Sequence, residues 1–148
     1  MATKKQDAKR YSLSDFNFRG KHAAGQKMPI KLPSGEDTGE WLNVRGPQCD
    51  ESLQASREYN RLLYALEDEL KPLKEEAEAK GNFFEYNTAH QDAVKEMNIA
   101  YMMEIITGWS MDNEFNNDSL LEFLTGWPEI MDQVYEFHHS LKTELEAK

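Results

Sequence analysis

Four histidines are the side chains in this sequence best suited to hold a metal ion: His22, His90, His138 and His139. Glu136 precedes His139 by three positions, the Glu-x-x-His spacing that places a carboxylate and an imidazole on one face of a helix. Di-iron sites in helical bundles need that motif twice, and it occurs once here. We therefore predict no metal site, with His138 partly buried on an apolar stripe and His139 at the surface.

The other reactive residue types also argue against catalysis. Cys49 has no basic neighbour that would activate its thiol, and a single cysteine can form neither an internal disulfide nor a cysteine-based zinc site. The densest acidic run, residues 67–69, is typical of a solvated helix face. Glycine-rich phosphate loops and the G-x-S-x-G motif are absent from the sequence. We expect a protein that is not an enzyme, with no catalytic residue and no cofactor.

Charge is unevenly distributed along the chain, whose net charge is −10. Residues 1–49 carry 9 Lys/Arg and 5 Asp/Glu, a net +4, whereas residues 50–148 carry 8 and 22, a net −14. Because nucleic-acid affinity comes largely from cations that displace counterions, we expect no nucleic-acid binding by the acidic part. We also expect no membrane span, since no apolar run approaches the roughly 20 residues that a spanning helix needs. The absence of an apolar leader and the single cysteine favour a reducing cytoplasm.

Hydrophobic patterning predicts a mainly α fold, a small helical bundle with an N-terminal β-hairpin. Residues 1–27 are expected to be a basic, extended or disordered arm, because Gly20 and Gly25 interrupt any longer element. Residues 28–148 then form a single domain. Within it, residues 28–46 show the period-two alternation of a hairpin, and residues 50–148 show helical periodicity.

Helix boundaries and a core follow from the same patterns. We expect Pro72 to kink or end the first long helix, a capping box at residues 88–91 to begin the next, and Gly108 to cap its end. A short helix over residues 118–124 follows, and Pro128 begins the last helix. Nine residues on the apolar rows and at the helix ends are predicted to be buried: Leu63, Leu66, Tyr101, Ile105, Trp109, Leu124, Trp127, Val134 and Leu141.

A possible binding surface is marked by methionines, five of which fall between residues 97 and 131. Methionine adapts its shape and recurs on surfaces that accept several partners. The alternative is a helix at the bundle centre, with Trp109 and Trp127 closing the ends of the bundle. The candidate surface for a client or for self-association comprises Met97, Met102, Met103, Ile106, Trp109, Met111 and Phe115.

The order of several segments resembles a known family. The hairpin contains Leu32-Pro33-Ser34-Gly35 and then residues 41–47 (WLNVRGP), and a later helix ends in residues 106–109 (ITGW). Residues 114–121 (EFNNDSLL) and the step WPEI at residues 127–130 follow. Over roughly residues 28–141 this arrangement is similar to the tail assembly chaperones of long-tailed phages. This sequence departs from the family pattern in two places. Its basic arm is longer than in similar chains. Residues 114–116 are Glu-Phe-Asn, whereas similar chains often have Pro-Phe-Ser at this place.

The resemblance implies a function. Such chaperones bind the tape measure protein in the cytoplasm of the infected bacterial host and keep it soluble until tail tube subunits polymerise around it. It implies the tail tube protein as a second candidate partner, self-association, and absence from the mature virion. The charges leave two interpretations of the basic arm open: a mobile terminus that aids solubility, or a segment that docks on the acidic part of a neighbouring copy.

A second hypothesis comes from another class of protein. The acidic composition also fits a small regulatory protein that binds a host or phage protein, for example as a nucleic-acid mimic. Mimicry predicts a one-to-one complex that salt disrupts, whereas a chaperone that coats its client predicts several copies per partner.

Overall fold

Five α-helices and a three-stranded sheet make up residues 10–147, the part of the protein described by a computed structural model. This confirms the predicted mainly α fold with minor strands. A 3-10 turn, Leu13–Phe16, precedes the regular elements. In chain order these are α1 (Phe18–Ala24), β1 (Gln26–Lys31), β2 (Asp37–Val44), α2 (Asp50–Lys80), α3 (Phe84–Ile105), β3 (Ile106–Trp109), α4 (Asn117–Gly126) and α5 (Ile130–Glu146).

The sheet has the order β1-β2-β3, and both pairs of strands are antiparallel. The predicted hairpin is confirmed by the pairing of β1 with β2. The third strand was not predicted, because the helix was expected to continue to a cap at Gly108. That expectation is wrong: α3 ends at Ile105, and Ile106 turns extended, with φ −92° and ψ 121°. Pairing with β2 accounts for the change, since Val44 lies opposite Ile106 and Leu42 opposite Trp109.

The hydrophobic core lies between one face of this sheet and the helices. Alternate residues of β1 and β2 point into it, as period two requires. The end of α3, one face of α4 and the first half of α5 cover them. The buried members are Met28, Ile30, Leu42, Val44, Met102, Ile105, Ile106, Leu120, Leu124, Ile130 and Val134.

Helices α2 and α3 form a long antiparallel pair. α2 begins after Cys49, runs through Pro72 without ending, and stops at Gly81, whose φ of 68° is left-handed. The Oδ1 of Asn82 accepts a hydrogen bond from the backbone N–H of Phe84 at 3.0 Å, at the start of α3. The predicted capping box at residues 88–91 is therefore wrong, because Thr88 lies inside the helix.

The N-terminal segment is more ordered than predicted. Residues 1–9 lie outside the described part, but residues 13–16 and 18–24 are helical, so the expectation of an extended or disordered segment is wrong for them. Gly20 does not interrupt α1, since it lies in the first turn, where Oδ1 of the capping Asn17 accepts its N–H at 3.0 Å. The Asn17 side chain also occupies the space where a Cβ at position 20 would lie. An ion pair of 3.0 Å between Arg19 and Asp50 ties α1 to α2.

Five of the nine predicted core residues are buried, namely Leu66, Ile105, Leu124, Val134 and Leu141. The other four, Leu63, Tyr101, Trp109 and Trp127, are half-buried. The last helices start slightly away from their predicted positions. The cap of α4 is Asn116, whose Oδ1 accepts the Ser119 N–H at 2.9 Å. α5 begins at Ile130 rather than at Pro128, because a turn intervenes in which the Trp127 carbonyl accepts the Ile130 N–H.

Candidate functional site

An open cleft of about 500 Å³ lies between α2, α3 and α5. Three tyrosines and two methionines line it together with amide, hydroxyl, carboxyl and imidazole groups. This combination suits a ligand that is apolar on one face and polar on another. The lining residues are Ser56, Tyr59, Asn60, Asn98, Tyr101, Met102, Pro128, Met131, Asp132, Tyr135 and His139.

A hydrogen-bonded chain that contains the buried His138 links α3, α5 and the connection between β2 and α2. Tyr101 Oη and His138 Nε2 are 2.9 Å apart, and His138 Nδ1 lies 2.5 Å from the backbone carbonyl of Arg45. The carbonyl can only accept, so Nδ1 carries the proton and donates. Nε2 of a neutral imidazole then accepts from the Tyr101 hydroxyl. The side chain predicted to be partly buried is in fact fully buried, with both ring nitrogens satisfied.

Burial controls the protonation of both groups in this chain. Desolvation, helped by the neighbouring Tyr135, raises the pKa of Tyr101 to about 12, so its hydroxyl keeps its proton. Desolvation also lowers the pKa of His138, and the nearby His139 and His22 act in the same direction, against the hydrogen bond to Arg45. At neutral pH the pair is therefore an uncharged structural support for the wall of the cleft.

We expect the free energy of unfolding to decrease as the pH is lowered from neutral through the ordinary histidine pKa of 6.5. Below that pH the unfolded chain takes up a proton at residue 138, whereas the folded protein, with its lowered pKa, does not. In His138→Asn the amide group can still donate to the Arg45 carbonyl, but it does not titrate. Urea unfolding over this pH range should therefore show a shallower decrease for the variant than for the wild-type protein.

His139→Asn is the matched control, because His139 is the next residue of α5 but is exposed. It should keep most of the wild-type pH dependence. Equal pH dependence in the wild-type protein and in His138→Asn would show that burial of His138 does not disfavour its charged form.

The seven residues predicted as a client surface do not form one exposed face. Met97, Met102 and Ile106 are buried, and the last two belong to the hydrophobic core. The others are half-buried and pack against that core: Met103, Trp109, Met111 and Phe115. Of the seven, Met102 lines the cleft. The alternative of a helix at the bundle centre therefore describes α3 well.

Trp109 and Phe115 form part of an aromatic cluster that holds the loop before α4. The Trp109 ring lies edge-on to Phe115 at 5.1 Å and to Phe123 at 5.9 Å, and Phe123 is 6.3 Å from Trp127. Trp109 Nε1 donates to the carbonyl of Asn113 at 2.8 Å. Both tryptophans thus pack at helix ends, as the alternative interpretation expected.

The residues considered for metal binding or catalysis are spread over the fold. His138 faces inward, while Glu136 and His139 are exposed, and residues 10–147 contain no group of three or more candidate ligands close enough to hold a metal ion. Cys49 is buried, with its Sγ 3.2 Å from the Ser52 hydroxyl at the start of α2. These contacts are structural.

Sequence patterns missed most of the cleft. Tyr59 and Met131 belong to the helical apolar periodicity of the chain, and the structure places both half-buried at the border of the opening. Tyr135 and His139 are four positions apart on α5, a spacing that stacks side chains on one helix face, and their rings are 4.3 Å apart. That spacing was a usable signal, but it did not indicate which helices the pair would face.

Comparison with known proteins identifies the family of this chain. The model of one protein family, described as phage tail assembly chaperone, matches residues 27–144. The chain therefore belongs to the phage tail assembly chaperone family. Searches of curated proteins and of solved structures gave no match. Within the described residues, no helix is both long enough and apolar enough to cross a membrane.

Proposed function

We propose that this protein is a non-enzymatic chaperone that binds the tape measure protein of a phage tail and keeps it soluble during assembly. Membership of the family supports a role in tail assembly. The observation that carries the finer proposal is the open cleft between α2, α3 and α5, lined by tyrosines and methionines. The client segment that fits it is an amphipathic helix.

The shape and chemistry of the cleft suit such a helix. Helices pack at axis separations of about 8–10 Å, so a client helix can lie on α3 in the opening between α2 and α5, which both pack on α3. Tyrosine rings give large contact areas at a small loss of side-chain entropy and keep a polar hydroxyl for hydrogen bonds. Met131, which is half-buried at the opening, can adjust to different client side chains, as a chaperone for a long and varied sequence requires.

Charge supports the solubilising part of the proposal. Residues 50–148, which provide nearly all of the helical surface, carry a net charge of −14. Copies bound along one client would present this charge outward, and mutual repulsion between such complexes opposes aggregation. We place the protein in the cytoplasm of the infected host, where tail tube subunits, the second candidate partner, displace it, so that it is absent from the mature virion.

Replacing Tyr59 and Tyr135 together by alanine should weaken binding of a helical tape measure segment by about 10- to 100-fold, because buried tyrosines are frequent hot spots. Isothermal titration with a purified segment measures the affinity. Co-expression, with the client recovered in the soluble fraction, measures the chaperone effect. Neither tyrosine belongs to the buried core, so helix content should be unchanged.

Tyr64→Ala is the matched control, because Tyr64 is 73% exposed on α2 and lies outside the cleft. It should bind the client normally. Equal losses of client affinity in the control and in the double variant would show that the cleft is not the client site. A wild-type protein that fails to keep any tape measure segment soluble would overturn the proposed function. A one-to-one complex lost in high salt would favour the acidic regulator.

A further inference from the structure

We propose that the N-terminal segment of one copy docks into a groove on the α2–α3 pair of a second copy, so that copies join head to tail. We call residues 10–16 the N-terminal knob and the depression lined by Leu62, Met97 and Ala100 the outer groove. The knob and the residues that define the groove lie outside the client cleft, although Tyr59 and Tyr101 border both openings. This contact is inferred without reference to the proposed client binding.

The knob presents large apolar side chains to solvent in an ordered turn. Leu13 is 91% exposed and Phe16 is 59% exposed, and the ring of Tyr11 packs on that of Phe16 at 5.7 Å. The turn is held by the backbone N–H of Ser12, which donates to Asp15 Oδ2 at 2.8 Å. An ordered turn loses little entropy when it docks, which favours binding.

The knob is fixed to the body of its own copy through α1. Arg19 of α1 pairs with Asp50 of α2, and the buried His22 has its Nε2 3.3 Å from a carboxylate oxygen of Glu146 on α5. These ties hold α1 against two helices, so the knob next to it is presented from a defined position. Partner recognition can then use a rigid surface.

The outer groove consists of two adjoining depressions of about 250 and 110 Å³ between α2 and α3. They share Leu62, Met97 and Ala100. Alanines at residues 55, 65, 93 and 100 leave room for an incoming side chain to approach the helices closely. Asn60 lines the client cleft whereas Leu62 lines the groove. Residues two positions apart on a helix point in directions about 200° apart, so the groove and the cleft open to either side of Tyr59, which borders both.

Charge complementarity selects the knob as the occupant. Four glutamates border the groove: Glu58, Glu69, Glu96 and Glu104. In the described part of the chain, Glu58 is paired with Arg61, while no cation pairs with the other three. Residues 1–21 carry six Lys/Arg against two acidic residues. An apolar knob with basic flanks therefore matches an apolar groove with an acidic border.

The two surfaces differ, so the contact is heterologous. Each copy offers one knob and one groove, and such contacts produce open chains or closed rings rather than symmetric dimers. This geometry suits a protein that lines up along an extended partner. It also predicts how variants complement each other, since one intact knob and one intact groove are enough for a single contact.

Sedimentation velocity of the full-length protein tests the proposal in the absence of client. Self-association should increase with concentration and weaken as salt screens the glutamates. L13S/F16S in the knob and E69K/E96K in the groove should each weaken it at least tenfold, which corresponds to about 1.4 kcal/mol. A mixture of the two variants should form a one-to-one dimer and nothing larger.

Charge exchange and matched controls complete the test. K9E/R10E should restore association when combined with E69K/E96K. Tyr64→Ser removes an exposed apolar side chain of α2, and E75K/E78K reverses two exposed charges outside the groove; both should associate normally. Circular dichroism should show the wild-type helix content in every variant.

Three results would overturn the proposal. The first is a wild-type protein that stays monomeric at every concentration, which would result if each knob docked on its own copy. The second is a mixture of the knob and groove variants that stays monomeric. The third is a loss of association in the control variants as strong as in the test variants. Client binding measured in parallel separates this contact from the proposed chaperone function.

Discussion

Replacing Leu124 by alanine is expected to lower the free energy of unfolding by about 2–5 kcal/mol, the range for truncating a fully buried leucine. Leu124 lies on α4 with no exposed surface and belongs to the core beneath the sheet. Its neighbours in that core come from β2, α3 and α5. These elements are fixed by their own contacts, so they cannot close the cavity fully. Urea unfolding monitored by circular dichroism measures the change.

Leu121→Ala is the control within the same helix. Leu121 is 42% exposed, and the substitution removes the same atoms at a position three residues earlier. We expect a loss below about 0.5 kcal/mol, as for ordinary surface substitutions. Similar losses in the two variants would mean that α4 does not pack through the face containing Leu124.

Gly46→Ala is the second substitution with a large expected effect. A Cβ at this position would lie 2.0 Å from Nδ1 of His22 and 2.8 Å from its Cγ. The His22 ring has no exposed surface, and its Nδ1 accepts the backbone N–H of Gln48 at 3.3 Å. Neither the His22 ring nor the backbone at Gly46 can move without breaking contacts. We therefore expect the free energy of unfolding to decrease by about 3 kcal/mol or more, the upper end for overpacking. Chemical denaturation measures it.

A double-mutant cycle isolates the clash. In His22→Ala the ring is absent, so the added Gly46→Ala substitution should cost far less than it does in the wild-type protein. Gly126→Ala provides a neutral comparison, because a Cβ there meets no atom within 4 Å. A Gly46→Ala protein as stable as Gly126→Ala would show that α1 is not packed on the β2–α2 connection as described.

The fold class followed from the sequence because periodicity is a local property. Alternation over residues 28–46 specified a hairpin, and helical spacing from residue 50 onward specified a bundle. The last turn of α3 was misassigned for a tertiary reason. Ile106 is a strand residue because Val44 of β2 lies opposite it, and no local pattern records a partner about 60 residues away. The N-terminal helix was missed in the same way, since distant contacts stabilise it.

The candidate binding surface shows where sequence reasoning stops. Hydrophobicity marked Met102 and Ile106, but it could not distinguish an apolar residue that faces a partner from one that faces the core. Here both are buried, because α3 runs beneath the sheet and beside α5. Tyr59 and Tyr135 became candidates only when it was known that α2 and α5 both pack on α3 and leave a cleft between them.

The sequence by itself determined the mainly α class, the hairpin, the acidic character and the family resemblance, because composition, period and motif order are written along the chain. The tertiary structure alone decided which apolar side chains are exposed, where the cleft and the outer groove open, and which groups His138 bonds to. These properties depend on contacts between segments far apart in sequence, such as Arg45, Tyr101 and His138. Such contacts form only when the elements pack, and packing fixes which surface is left for a partner.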